Sequence, residues 1–181
     1  MTTIILTIIG ILLAAVTAFM MFFYGGDSFA GSSDKSEASR LVSEGVQIQA
    51  AMQLYKAKLD KMPGDGNGVD ATAMWDLVCN DYLSSIPVGI NKSSAPAFDC
   101  SPAGRASASA SSPWKIDYNY GIARSIVGPA LTPSGNEAKA LRICVAARKN
   151  VGLTGDPLQC NDPSISNSDP CCIMSLDEAA G

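Results

Sequence analysis

The chain contains no histidine. That absence removes the Ser-His and Cys-His pairs that activate a nucleophile. It also leaves zinc only sulfur and carboxylate ligands. The closest cysteines, Cys171 and Cys172, are adjacent rather than spaced as C-x2-C. Charge is sparse, at 17% of residues, and acidic on balance, with a net value of −4. A chain of that kind has no basic footprint for nucleic acid. There is no G-x-S-x-G elbow, phosphate-binding glycine loop, P-loop lysine or paired-carboxylate motif. Asp65-Gly66-Asn67-Gly68-Val69-Asp70 resembles half a calcium loop but lacks the distal glutamate, so it reads as a turn. The composition therefore points to a non-enzyme with no cofactor and no metal.

Charge is missing altogether from residues 2–24, TTIILTIIGILLAAVTAFMMFFY. The run exceeds the roughly 20 apolar residues that carry a helix across a bilayer core. A secretory signal would start with basic residues and have a shorter apolar region of about 7–15 residues. Here the first basic residue is Lys35. A chain without a basic start is poorly oriented during insertion, so Met1 is expected to be the first residue left after a basic leader is removed. Phe19, Phe22, Phe23 and Tyr24 would form an interfacial aromatic belt at the end of this anchor.

Beyond the anchor, roughly 150 residues suit one domain with one core. Gly25, Gly26 and Gly31, with Ser28, Ser32 and Ser33, predict a flexible break at 25–33 in which the helix melts or bends. Each such glycine weakens a helix by about 1 kcal/mol. Asp34 and Glu37 stand at capping-box spacing. Apolar or small residues then recur at Ala38, Leu41, Gly45, Ile48, Met52, Tyr55, Leu59 and Met62, which predicts an amphipathic helix over 34–62, stopped by Pro63-Gly64.

The head, 63–181, is expected to hold a short helix from Ala71 to Cys79 and a Ser-, Ala- and Pro-rich exposed loop over 91–113. A half-buried strand over Lys115–Ala123 follows, then a second helix introduced by Ser134 and Glu137. In that helix Leu141, Cys144, Val145 and Arg148 share a side. Cys-Cys-Ile-Met is a candidate last strand after a tail dense in Asp, Pro, Asn and Ser.

All six cysteines, Cys79, Cys100, Cys144, Cys160, Cys171 and Cys172, follow the anchor. An even count in an anchored chain reads as a disulfide framework in an oxidising compartment. Cys79 is expected to bridge Cys100, and Cys144 to bridge Cys160, Cys171 or Cys172. Cα atoms across a trans peptide lie near 3.8 Å, too close for ordinary bridge geometry. Cys171 and Cys172 should therefore take different partners.

Three segments resemble type IV pilins. Ile4-Ile5-Leu6-Thr7-Ile8-Ile9-Gly10-Ile11-Leu12-Leu13-Ala14-Ala15 is similar to the family's apolar start. Leu54-Tyr55 to Met62-Pro63 resembles its helix end. Asp76-Leu77-Val78, Tyr82-Leu83 and Ile86-Pro87 resemble its L-V-x-x-G-Y-L-x-x-x-P segment. The helix carrying Cys144, followed by later cysteines, is similar to the larger IVb subclass. The resemblance implies an α+β fold: a long N-terminal helical spine, then a head with a small antiparallel sheet tied by disulfides.

It also implies a structural subunit that waits in a bacterial inner membrane and is built into an extracellular filament for adhesion, motility, DNA uptake or conjugation. Its partners would be copies of itself, a prepilin peptidase that cuts before Met1, and an assembly platform. Ile5, Ile8, Ile9, Leu12, Leu13, Val16, Phe19, Phe22 and Phe23 would form the filament-core helix. Ile5 stands where pilins usually carry a glutamate; some minor, tip-type pilins lack it, so major and minor roles are both open. A secretion pseudopilin and a non-polymerising anchored binding or adhesin domain are the alternatives. Intact-mass spectrometry should show a chain that begins at Met1 and carries one methyl group. A formylated Met1, or a longer uncleaved chain, would contradict this reading.

Overall fold

The computed structural model describes residues 32–66, 70–90, 98–106, 112–118, 120–128 and 136–174. The anchor, 1–24, and most of the break, 25–31, lie outside the described residues, as does Ser134. Among the described residues no helix is long and apolar enough to cross a membrane.

Helix α1 covers residues 32–59. Its buried stripe is the one its periodicity calls for: Ala38, Leu41, Gly45, Ile48, Met52 and Tyr55 face the head. Leu59 is 47% exposed, so the stripe lifts off the core in the last turn. Ser32 and Ser33 are already helical, so Asp34 lies inside the helix rather than capping it. Asp34 instead pairs with Arg142 at 3.1 Å, and Glu37 with Lys139 at 3.2 Å. The helix ends short of Met62 because Asp60 takes a left-handed conformation, φ 54°, which aspartate tolerates better than most residues.

A 3-10 turn, Pro63–Gly66, reverses the chain into helix α2, Asp70–Cys79. Gly64 takes φ +76°, where a side chain would be strained. Its N–H donates to Asp76 Oδ2 at 2.7 Å. Asp76 is buried on α2 and also receives Nε and Nη2 of Arg105 at 2.8 and 3.0 Å, from the short helix α3, Pro102–Ala106. One carboxylate thus holds two loops that have almost no apolar side chains of their own. Trp75 adds a bond from its indole N–H to the Asp99 carbonyl at 2.7 Å.

The sheet has three strands in the order β1-β2-β3: Trp114–Asp117, Ile122–Val127 and Cys171–Ile173. The single strand expected over 115–123 is in fact a hairpin. Its alternation runs through the turn that carries Tyr118, Tyr120 and Gly121, where Gly121 supplies φ +64°, and both arms happen to keep the period of two. The sheet is also mixed rather than antiparallel. β1 and β2 are antiparallel, with Trp114 opposite Ser125 and Ile116 opposite Ala123. β2 and β3 are parallel, with Ser125 opposite Cys171 and Val127 opposite Ile173. A parallel neighbour needs a long crossover, and helix α4, Glu137–Asn150, lies within it.

Helix α4 begins at Glu137, with Asn136 at the N-cap position. Its buried side is Ala140, Ile143, Cys144, Ala147 and Arg148; Leu141, expected beside Cys144, is 38% exposed. Strand β2 is buried along its whole length. Ala123 and Val127 join the main core with α1, α2 and α4, while Ile126 packs in a second small cluster with Cys160 and Cys172.

Arg40 and Glu44 of α1 clasp the loop after α2. Arg40 Nη2 donates to the Gly89 carbonyl at 3.0 Å, and the Gly89 N–H donates to Glu44 Oε2 at 3.3 Å. Burial raises the Glu44 carboxyl above its ordinary range, although the Arg40 guanidinium and the Gly89 N–H pull it down. Such a carboxyl keeps its proton longer when folded than when unfolded, so its contribution to stability falls as pH rises through the interval between the two values. Glu44→Gln removes that titration. Urea midpoints at about pH 4 and about pH 7 should show the stability difference moving in favour of the variant at the higher pH. A difference that stays constant or moves the other way would refute the assignment.

Candidate functional site

Three disulfides use every cysteine. Cys79 bridges Cys100, Cys144 bridges Cys171 and Cys160 bridges Cys172, with Cα separations of 5.3, 5.9 and 4.9 Å. Cys171 and Cys172 take different partners on opposite faces of β3. The first ties the strand to α4; the second ties it to the tail loop. Arg148 of α4 reinforces the tie with a buried ion pair to Asp169 at 2.6 Å. Burial pushes the Asp169 carboxyl above its ordinary range, against the pull of the Arg148 charge. Breaking such a pair by removing one partner is costly, about 3–5 kcal/mol, since it leaves an uncompensated buried charge.

The ties hold the tail loop against the outer side of the hairpin and leave a cleft of about 720 Å³ between them. The hairpin side presents Lys115, Ile116, Asp117, Tyr118, Tyr120 and Arg124; the loop side presents Cys160, Asn161, Asp162, Pro163, Ile165 and Asn167. Arg124 is almost fully buried. Its Nη2 donates to the Ser166 carbonyl at 3.2 Å and its Nη1 lies 3.4 Å from Asp117 Oδ2. Asp162 Oδ1 accepts the Ser164 hydroxyl at 2.6 Å and the Ser164 N–H at 2.8 Å. Those two bonds hold the Asp162 carboxyl below the usual range, so it is charged at neutral pH.

A second surface lies on α1. Val46 and Leu54 are 57% and 58% exposed, and Ala50 and Ala57 are exposed with them. Steps of four, four and three put these residues in one row. The row runs along the side of the helix turned away from the head. A hollow of about 320 Å³ opens beside it, lined by Val42, Gly45, Val46 and Gln49 of α1 and by Asn167–Pro170 of the tail.

Met1 and the expected filament-core residues Ile5, Ile8, Ile9, Leu12, Leu13, Val16, Phe19, Phe22 and Phe23 lie outside the described residues. Sequence reasoning missed the second row on α1, although its spacing is visible once the first stripe is set aside. It also missed Asp76, Arg124 and Asp169, because a buried ion pair between distant residues leaves no local pattern.

Comparison with family models, with curated proteins and with solved structures finds no match.

The disulfide between Cys144 and Cys171 spans 27 residues, a closure worth about 3–4 kcal/mol in the chain-entropy model. Cys144→Ser should lower the thermal midpoint and make the tail the first site of limited proteolysis. Cleavage rates equal to those of the unaltered chain would show that the bridge does not hold the tail.

Proposed function

We propose that the chain is a structural subunit of a type IV pilus filament, held by residues 1–24 in the inner membrane before assembly and packed through them against its own copies afterwards. The observation that supports this reading is the exposed row on α1. A single exposed leucine is ordinary, but Val46, Ala50, Leu54 and Ala57 at helical spacing give α1 an apolar side that its own head leaves uncovered. The row ends at Val46, since the same side of α1 carries Ser43, Ser39, Ser36 and Ser32 before it, and residues 2–24, which bear no charge, are a second and separate apolar stretch. Two such surfaces suit packing among parallel spines, and contacts of that heterologous kind propagate into fibres. The prepilin peptidase and the assembly platform belong to the same reading.

The cleft favours a second reading, an anchored binding domain that never polymerises, and one experiment separates the two. Filaments sheared from cells should contain the chain. The double variant Val46→Asp, Leu54→Asp should insert in the membrane with its disulfides intact and be depleted from those filaments by more than about tenfold, since a buried charge costs several kcal/mol. Absence of the unaltered chain from the filaments would decide for the anchored domain. Undiminished incorporation of the variant would remove the row on α1 as the assembly surface.

A further inference from the structure

We propose that the cleft between the hairpin turn and the tail loop is a binding site for a neutral saccharide. The inference goes beyond the filament reading and does not depend on it, because the site lies within one copy of the chain.

A pyranose offers two things to a protein: hydroxyls that both donate and accept, and a C–H face that packs on an aromatic ring. The cleft supplies partners for both. Tyr120 lines it from the turn between β1 and β2 and is 62% exposed, an aromatic ring left in water on a surface otherwise rich in polar groups. Such amphipathic rings are the side chains that gain most from covering one face while keeping a polar tip wet. Across from the hairpin, Asn161 and Asp162 contribute a side-chain amide and a carboxylate. An amide donates and accepts in one plane, and a carboxylate accepts on two oxygens. Both Ser164 bonds land on Asp162 Oδ1, which leaves Oδ2 to accept from a hydroxyl of the ligand.

Charge narrows the class. The lining carries two cations, Lys115 and Arg124, and two carboxylates, Asp117 and Asp162. Arg124 is committed beneath the cleft, to Asp117 and to the Ser166 carbonyl. That pair cancels Asp117 as well, and with Lys115 against Asp162 the lining has no net charge to draw in a phosphate or sulfate, whereas an uncharged polyol meets a balanced field. Size fits as well, since about 720 Å³ falls within the range of roughly 300–1,000 Å³ typical of small-ligand sites and holds more than one sugar ring.

The site is also fixed before any ligand arrives. The Cys160–Cys172 bridge closes the loop, Arg124 holds it from below through Ser166, and Ser164 sets the Asp162 carboxylate. A wall held in this way has little ordering entropy left to lose on binding.

The test is saturation-transfer NMR on the full chain in micelles of a detergent without a sugar headgroup, with lactose, maltotriose and triacetylchitotriose as neutral probes and sialyllactose as the anionic control. At least one neutral probe should bind saturably with Kd on the order of 1 mM, near −4 kcal/mol. Tyr120→Ala and Asp162→Asn should each weaken it by about tenfold or more, equivalent to about 1.4 kcal/mol. Leu54→Ala, on α1 away from the cleft, should leave it unchanged. Disulfide mapping of each variant confirms that the head is folded. No saturable transfer from any neutral probe up to about 20 mM, well beyond the millimolar range expected of such a site, would overturn the proposal. Binding indifferent to both cleft variants, or tighter binding of sialyllactose than of lactose, would overturn it too.

Discussion

Side chains along a strand point alternately to the two faces of a sheet, and β3 places one cysteine on each face. Cys171 reaches α4 on the core side and Cys172 reaches the tail loop on the other. A strand of three residues at a sheet edge has little pairing energy of its own. Anchored from both faces, it pairs with the second half of β2, Ser125 to Val127, and makes β2 the central strand. Cys171 joins the main core from that position and Cys172 the small cluster around Ile126, and the Cys160 bridge on the same side sets one wall of the cleft.

The same economy appears on α1. One stripe, from Ala38 to Tyr55, fastens the helix to the head. Arg40 and Glu44 extend the hold to the Gly89 loop, and Asp34 and Glu37 extend it to α4. The opposite side, Val46 to Ala57, is apolar and uncovered. A helix with two apolar sides is poorly suited to life as a surface helix of a lone globular domain.

What was legible in the sequence was whatever has a short period. The buried stripe of α1 and the helix up to Cys79 follow from spacing alone, and the opposed partners of Cys171 and Cys172 from backbone geometry. Features that depend on distant pairing were not legible. Ile116, Tyr118, Tyr120 and Ile122 alternate without interruption, so the turn inside that run is invisible until Gly121 is seen at φ +64°. The parallel pairing of β3 was hidden because nothing in Cys-Cys-Ile specifies which neighbour it joins. The cleft unites residues of the hairpin with residues of the tail, and only the crossover through α4 brings them together.

Adjacent cysteines on opposite faces carry a consequence for how the protein is made. Cys144, Cys160, Cys171 and Cys172 can pair in three ways, and two of them preserve a bridge to each of the adjacent pair. Exchanging the partners of Cys171 and Cys172 would demand a strand turned over by one residue, which moves every side chain of it to the wrong face. A strand seated beside β2 therefore presents each of the two cysteines to its own partner. That strand lies near the C-terminal end of the sequence, after all the elements it must join. Oxidation that outpaces docking traps the exchanged pairing, and only thiol–disulfide exchange releases it. Docking of β3 before oxidation is thus the order of events that the geometry of the strand favours.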